Sequence, residues 1–255
     1  MRVRVLGCSG GSAPGRQPSC YLLDGGLAID AGALASSLSL DEQQALSHVW
    51  LTHAHWDHVR DLPLTAINRT PDAGPLEVHG LGETVNAVRA HLMNADVWFP
   101  AFDLPSIESP FITATAVAPG ETQQCGPYTI TSVPVPHTVP ATSYLIDDGE
   151  SSILINADTG GGGIFKNLPV GRSPLRAVFL EASFPNRMKN FALMTGHLTP
   201  EMLEEEVGLL GPDVSVIVTH MKPGHEVELS REIADLRRRD IHACRDGDVL
   251  HFGKR

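Results

Sequence analysis

The stretch Thr52-His-Ala-His-Trp-Asp-His-Val-Arg-Asp61 decides how this chain is interpreted. It places three imidazoles and one carboxylate within six positions, in the order H-x-H-x-D-H: His53, His55, Asp57 and His58. Imidazole nitrogen and carboxylate oxygen suit Zn, Mn or Fe, and the stretch holds no thiolate that would narrow the choice. The alternative is a surface loop that is rich in histidine by chance. The density of ligand types favours a metal site.

The metal-ligand stretch follows an apolar run, Val49-Trp-Leu51, that is typical of a buried strand. Ligands on the loop after a strand lie on a rigid rim that a substrate can reach. Alternate residues of an extended segment point the same way, so His53 and His55 can bind one metal. Asp57 and His58 lie beyond the turn and can reach a second metal.

Two metals need more ligands than this stretch provides, and His137, Asp158 and His220 supply the types required. Each follows an apolar, strand-like run. An isolated histidine at a strand end is usually structural. Three strand ends that each carry a ligand type, beside an H-x-H-x-D-H stretch, indicate a shared two-metal site.

The order H-x-H-x-D-H, His, Asp, His resembles the metallo-β-lactamase superfamily of metallohydrolases. The resemblance implies an α/β fold, a four-layer αββα sandwich with a two-metal site at one edge, here expected as a single domain over residues 1–255. It also implies a ligand assignment. His53, His55 and His137 would hold the first metal, Asp57, His58 and His220 the second, and Asp158 would bridge them.

Further motifs resemble the class II 3′,5′-cyclic-nucleotide phosphodiesterases within that superfamily. They are the segments 6–15, 19–24, 28–32, 180–186, 196–201 and 219–223. The tRNA 3′-processing nuclease RNase Z shares several of them. The resemblance therefore implies hydrolysis of cyclic AMP or cyclic GMP to the 5′-monophosphate, with an RNase Z-like endonuclease or another hydrolase of the fold as the alternative.

The expected chemistry needs two metals and a proton donor. A metal pair can lower the pKa of water towards 7 and clamp the attacking and leaving oxygens, with a bridging hydroxide beside Asp158 as the nucleophile. His197 is the candidate general acid for the leaving alkoxide, and the RNase Z resemblance implies that Glu181 orients it. Asp57 is counted with them among the catalytic residues. Zn is the expected metal, with Mn or Fe also suited.

Other interpretations of these residues stay open. His197 is otherwise a surface residue beside a helix, and Lys222 either contacts phosphate or is an ordinary solvated lysine. A carbon-centred substrate is disfavoured because such chemistry does not need a dedicated acid for an alkoxide. A metal-stabilised scaffold without activity is disfavoured because the ligand set is complete.

The charge of the chain restricts the partners that it is expected to bind. The net charge is −11, from 19 basic and 30 acidic residues, which argues against broad nucleic-acid binding. RNase Z-like enzymes usually carry an inserted arm between the third-motif histidine and the bridging aspartate. Here positions 138–157 contain no Lys or Arg. A small nucleotide substrate is expected, and a homodimer is implied only by the resemblance.

The chain has features of a cytoplasmic protein without membrane attachment. No apolar run approaches the ~20 residues of a membrane helix, and the N-terminus lacks the apolar region of a signal peptide. The four cysteines have no paired spacing and are expected as reduced thiols.

The pattern also predicts helices and supporting residues. Helices are expected over 38–46, 84–93, 199–210 and 229–239, the third with Thr199 as N-cap and Gly211 at its end. Asp30 either orients a metal-bound imidazole or caps a turn. His79 is interpreted as structural because no metal position remains for it. Aromatic residues 98–102 either line a purine pocket or fold back on the core.

Overall fold

The computed structural model describes residues 1–169, 171–237 and 240–253. The strands are β1 Arg2–Gly7, β2 Cys20–Leu23, β3 Leu27–Ile29, β4 His48–Trp50, β5 Leu76–Leu81, β6 Pro105–Ser106, β7 Ser109–Pro110, β8 Ile112–Val117, β9 Thr122–Cys125, β10 Tyr128–Val135, β11 Ala141–Asp147, β12 Ser152–Ile155, β13 Leu175–Glu181, β14 Ser215–Thr219, β15 Ile241–Ala243 and β16 Val249–His251.

The α-helices are α1 Leu34–Ser37, α2 Leu40–Ala45, α3 Trp56–Val59, α4 Leu62–Asn68, α5 Gly82–His91, α6 Lys189–Thr195, α7 Pro200–Val207 and α8 Glu226–Ala234. Short 3-10 turns cover Pro71–Ala73, Ile164–Asn167 and Asn186–Met188. Within the described ranges, no helix is both long and apolar enough to cross a membrane.

Two large sheets dominate the described part of the chain. The first has the order β16-β1-β2-β3-β4-β5-β8, and the second has the order β15-β14-β13-β12-β11-β10-β9. In each sheet an antiparallel hairpin, β2–β3 or β11–β12, leads into a run of parallel strands. The two halves therefore repeat one strand pattern, and the parallel strands of each half end at a common edge.

Strand periodicity explains the layering, because successive side chains point to opposite faces of a sheet. In β4 and the residue after it, Val49 and Leu51 pack outward towards helices, whereas Trp50 packs inward between the sheets. In β13, Val178 faces the outer layer and Phe179 faces the inner layer. Three apolar layers result, which confirms the predicted four-layer αββα sandwich.

The helices cover the outer faces of the sheets. Leu62 of α4 and Val88 of α5 pack in the outer layer of the first sheet. Leu203 of α7 and Leu229 of α8 pack in the outer layer of the second. Polar contacts also join the two sheets: the Tyr144 hydroxyl donates to the Leu51 carbonyl at 2.8 Å.

The four predicted helices have different bounds in the structure: 38–46 is Leu40–Ala45 and 84–93 is Gly82–His91, and the other two differ more. The helix predicted over 199–210 ends at Val207, with Gly208 rather than Gly211 at its C-cap, because glycine is a poor helix former. Thr199 occupies the N-cap position, but its side chain makes no capping hydrogen bond. The helix predicted over 229–239 begins at Glu226, whose charge suits a helix N-terminus, and ends at Ala234. Positions 238 and 239 lie outside the described residues.

We expect Phe179→Ala to lower the free energy of unfolding by about 3–5 kcal/mol, because it would empty a large site between the sheets. Phe179 is 1% exposed, and its ring lies 5.3 Å from that of Tyr21. Urea unfolding followed by circular dichroism measures the change. Leu40→Ala is the control, since Leu40 is 62% exposed and should change stability by less than about 0.5 kcal/mol. Equal losses in the two variants would contradict this layering.

Candidate metal centre

The predicted ligands converge at the edge where the parallel strands end. His53 follows β4, and His55 and Asp57 lie at the start of α3. His137 follows β10, Asp158 follows β12 and His220 follows β14. The structure therefore brings together residues that are far apart in the sequence.

One group of donors consists of His53, His55, His137 and Asp158, whose ligand atoms all lie within 4.8 Å of one another. Nδ1 of His55 is 3.2 Å from Nε2 of His137. Nε2 of His53 is 3.8 Å from Oδ2 of Asp158. This is the set predicted for the first metal, together with the predicted bridge.

A second group consists of Asp57, His58 and His220, also within 4.8 Å of one another. Nε2 of His58 is 3.3 Å from Nε2 of His220. Oδ2 of Asp158 lies 3.4 Å from His58 Nε2 and 3.1 Å from His220 Nε2. Asp158 thus contacts both groups, as a bridging carboxylate requires.

The Nδ1 atoms of four of these histidines are held by the protein. His58 donates to Asp30 at 2.7 Å, and His137 donates to the Gly196 carbonyl at 2.8 Å. The Thr52 hydroxyl accepts from His53 at 3.0 Å, and the Ser183 hydroxyl accepts from His220 at 2.9 Å. Each contact selects the tautomer that leaves Nε2 free to bind a metal. Asp30 therefore orients an imidazole rather than only capping a turn.

The donors fit divalent metals. Two imidazole nitrogens bound to one tetrahedral Zn²⁺ at ~2.0–2.1 Å would lie about 3.3–3.4 Å apart, close to the spacing of both histidine pairs. The Nε2 atom of His53 is buried and has no hydrogen-bond partner among the described residues. A buried donor or acceptor without a hydrogen-bond partner lowers the stability of the fold unless it binds another group, such as a metal ion.

The electrostatics of the centre also favour cations. Burial disfavours the protonated form of His58, but Asp158 and Asp30 raise its pKa well above the ordinary value. Burial likewise opposes ionisation of Asp158, but His220 and His58 hold its pKa well below the usual range. Burial lowers the pKa of His55 to about 4, so this imidazole is neutral at pH 7. The buried carboxylates thus favour positive charge on the groups around them, and a divalent cation would supply such charge.

His197 and Glu181 form a buried pair beside the ligands. Nδ1 of His197 donates to Oε1 of Glu181 at 2.9 Å. The same carboxylate accepts from the backbone N–H of Thr159 at 2.8 Å and of Leu198 at 3.2 Å, and from the Ser183 hydroxyl. Burial disfavours the imidazolium, but Glu181 raises the pKa of His197. His197 is 6% exposed, so it is not a surface residue.

Two glycines permit the close approach of segments at this edge. A Cβ on Gly10 would lie 2.6 Å from the His220 carbonyl oxygen. Gly196 has φ +70°, and a Cβ there would lie 2.9 Å from His137 Nδ1. The Gly-rich turn at 7–15 therefore packs against a ligand, and Gly196 positions both the His137 contact and the following His197.

Lys222 borders the candidate ligands, whereas Phe99 and Phe102 pack in the outer core. The Lys222 Nζ lies 3.7 Å from Oδ2 of Asp57, so a positive charge borders the ligands. Phe102 is 6% exposed in the outer core, under the Arg89 guanidinium, and Phe99 packs against the same core. These two aromatic residues fold back on the core and do not line a purine pocket.

Sequence reasoning missed several supporting residues. Ser183 joins Glu181 to His220, and Thr52 joins His53 to Asp30. Both lie inside motifs already singled out, two residues after Glu181 and one before His53, so a hydroxyl residue close to a candidate site residue was an available signal. Glu206 of α7 accepts backbone N–H bonds from three successive residues, 162–164, after Asp158. No local pattern indicates that contact.

The fold and the His/Asp ligand set define a metallo-β-lactamase-fold hydrolase that binds divalent metal. The chain belongs to the beta-lactamase superfamily, because the sequence profile of the beta-lactamase superfamily domain matches residues 21–221. A sequence comparison with curated proteins finds no match.

Solved structures share the fold over nearly the whole chain. The metallo-beta-lactamase fold protein YhfI from Bacillus subtilis is 19% identical, with a TM-score of 0.77, covering 98% of this chain and 99% of that one. Yeast PDE1 is 18% identical, with a TM-score of 0.78 and the same coverage. The short form of human tRNase Z is 16% identical, with a TM-score of 0.71 and again the same coverage. The superfamily is thus as the motifs predict, and the fold is shared with these solved structures.

We expect Asp30→Asn to weaken metal binding by about 10–100-fold, because His58 would lose the carboxylate that orients its ring. Competition with a chromophoric chelator measures the affinity, and circular dichroism checks the fold. Asp41→Asn, at an exposed position of α2, is the matched control and should bind metal like the wild type. Unchanged affinity in Asp30→Asn would show that the carboxylate does not support the centre.

Proposed function

We propose that this protein hydrolyses 3′,5′-cyclic nucleotides, cyclic AMP or cyclic GMP, to 5′-monophosphates. The observation that carries the proposal is the buried Glu181–His197 pair beside two groups of His and Asp donors, each of which could hold a divalent metal. His197 can act as a general acid, which the ribose 3′ alkoxide needs because it is a poor leaving group unless it is protonated. The motifs of residues 180–186 and 196–201, which resemble those of class II phosphodiesterases, contain both members of the pair.

The ligand roles follow the two groups of donors. His53, His55 and His137 would hold one metal, Asp57, His58 and His220 the other, and Asp158 both. The histidine-rich set suits Zn²⁺ best, and Mn²⁺ or Fe²⁺ also accept it. When bound, a metal pair supplies activated water at neutral pH and positive charge for the phosphoryl oxygens.

The chain's own part in the reaction is proton delivery. A water oxygen adds to phosphorus and the bond from phosphorus to the 3′ oxygen breaks. The 3′ oxygen takes a proton from Nε2 of His197, the attacking water releases one proton to solvent, and His197 takes up a proton from solvent before the next turnover. Glu181 holds Nδ1 of the same ring, so it fixes the tautomer and stabilises the imidazolium before transfer. Four donors hold the Glu181 carboxylate in turn, which keeps the pair in place.

Lys222 is proposed as a phosphate contact. Its ammonium borders the second ligand group, 3.7 Å from Asp57, and its side chain is 21% exposed. A charge-assisted hydrogen bond to a phosphoryl oxygen contributes about 1.5–3 kcal/mol. A substrate that enters this edge would therefore meet one positive side chain of the protein itself.

An RNase Z-like tRNA nuclease is the second candidate, supported by the fold shared with human tRNase Z. The segment between His137 and Asp158 weighs against it. That segment is taken up by the β11–β12 hairpin in the middle of the second sheet, and all residues of both strands are buried. It offers neither an inserted arm nor basic residues. The net charge of −11 is a further obstacle to binding a large polyanion.

We expect metal-loaded protein to convert cyclic AMP or cyclic GMP to the 5′-monophosphate, and His197→Ala to lower kcat about 10²–10⁴-fold, because the leaving alkoxide would lack its proton donor. Liquid chromatography of the products with Mn²⁺ or Zn²⁺ measures both. A substrate with a nitrophenolate leaving group needs no acid, so His197→Ala should hydrolyse it nearly as fast as the wild type.

The control variant is His225→Ala, at the N-cap of α8, which should retain full activity. Metal-loaded protein that leaves both cyclic nucleotides intact would overturn the proposed substrate. Cleavage of a 3′-extended pre-tRNA by the same preparation would then establish the nuclease instead.

We expect Lys222→Gln to raise the KM for the cyclic nucleotide about tenfold, because one charge-assisted contact to phosphate would be lost. The effect should shrink at high salt, which screens the wild-type charge. Steady-state kinetics at two ionic strengths measures it. Lys189→Gln, on α6, is the control. An unchanged KM would show that Lys222 is an ordinary solvated lysine.

A further inference from the structure

A second cluster of metal-ligand types lies at the end of β4 away from His53. His48 begins β4, Glu77 and His79 lie on β5, and Cys125 ends β9 of the other sheet. His48 pairs with Glu77 in the β4–β5 register, and Trp50 pairs with His79. Alternate residues of a strand share a face, so these side chains point between the two sheets.

The donor atoms of this cluster lie close together. Those of His48, His79 and Cys125 are all within 4.8 Å of one another. Nδ1 of His48 is 3.3 Å from Nε2 of His79. The Glu77 carboxylate lies 3.4 Å from His48 Nδ1 and 3.5 Å from His79 Nε2. Ligand atoms from three strands thus converge, and the Glu77 carboxylate borders the two imidazoles.

The spacing matches that of the candidate metal centre. There the facing imidazole nitrogens lie 3.2 and 3.3 Å apart, and here they lie 3.3 Å apart. A tetrahedral Zn²⁺ with Zn–N distances of ~2.0–2.1 Å separates two such nitrogens by about 3.3–3.4 Å. The same geometry therefore occurs twice at the catalytic edge and once at the opposite end of β4.

Burial makes the cluster difficult to explain as packing. His79 is 4% exposed and Cys125 is 5% exposed. The Trp50 ring stacks on His79 at 4.2 Å and closes the inner side. Nε2 of the His79 ring therefore faces His48 and Glu77, the direction that a metal ligand of this cluster requires.

We propose that His48, His79, Cys125 and Glu77 bind one Zn²⁺ ion, separate from the catalytic metals, that joins the two sheets. Two imidazoles and a thiolate would hold three positions of a tetrahedron, and the Glu77 carboxylate, 3.4 and 3.5 Å from the imidazole nitrogens, is the group beside them for the fourth. A site with four protein ligands leaves no position for substrate, so we assign it a structural role. The thiolate favours Zn²⁺ over Mg²⁺, Ca²⁺ or Mn²⁺. Binding forms a bond from zinc to sulfur and releases the Cys125 thiol proton to solvent.

An entry path exists on the outer side of the cluster. The side chain of His48 is 29% exposed and that of Glu77 is 39% exposed. Zinc can therefore reach the buried His79 and Cys125 from solvent without opening the core. Because β4 and β5 belong to the first sheet and β9 to the second, the bound ion would cross-link the edge opposite the hydrolytic centre.

The test measures metal content and a spectroscopic signature that catalysis does not share. Purified protein loaded with zinc should bind about three equivalents by mass spectrometry of the metal, and Cys125→Ser about two. Cobalt-loaded wild type should show the near-ultraviolet charge-transfer band of a cobalt–thiolate bond, because the residues of the hydrolytic centre include no cysteine. Cys125→Ser should lose the band and keep hydrolytic activity.

Two further variants keep the test decisive. His48→Gln changes a partly exposed residue, so it should fold, lose the same equivalent and weaken the band. Cys244→Ser removes a buried thiol elsewhere and should keep both the metal and the band. Removal of zinc with a chelator should lower the melting temperature of the wild type more than that of Cys125→Ser, because only the wild type loses an ion from this site. Binding of only two equivalents without a thiolate band, or a band that survives in Cys125→Ser, would overturn the proposal.

Discussion

The arrangement of the candidate metal centre depends on the buried carboxylate of Asp158, which is stable only with positive charge around it. Asp158 is 3% exposed, and its Oδ2 lies within 3.8 Å of three histidines that come from both sheets. An ionised carboxylate in such a place is tolerated only when cations and hydrogen-bond donors surround it. The two halves of the molecule meet at this edge because each supplies part of that environment. The metals of the superfamily supply the remainder.

The repeated strand pattern explains how the environment is assembled. Asp30 follows β3 in the first half and Asp158 follows β12 in the second, each after the second strand of a hairpin. Asp30 accepts a hydrogen bond from Nδ1 of His58, and Asp158 lies between the candidate metal ligands. Asp30 and His220 both have φ +59°, a left-handed conformation that is costly for residues other than glycine. Strain of this kind, at two strand ends beside one site, turns their side chains into the centre.

The hydrolytic chemistry proposed for this edge depends on the candidate metal ligands and on the groups that hydrogen-bond to those ligands. The candidate ligands lie at or beyond strand ends, and hydroxyl, carbonyl and carboxylate groups hold the far nitrogen of four of the five histidine rings. The Glu181–His197 pair is held in the same way, and Ser183 links it to His220. Proton donor and metal ligands therefore share one hydrogen-bond network, so their relative positions are set together.

The sequence by itself determined the candidate ligand set, most strands and the class of fold, because these depend on local spacing: H-x-H-x-D-H after an apolar strand, and single candidate ligands at later strand ends. It misplaced the ends of the four predicted helices, where weak local signals compete with packing. Only the tertiary structure decided the partners of each imidazole and the meeting of His48, His79 and Cys125. Those contacts join segments distant in sequence, and one sequence alone carries no signal for which distant strands will face each other across a core.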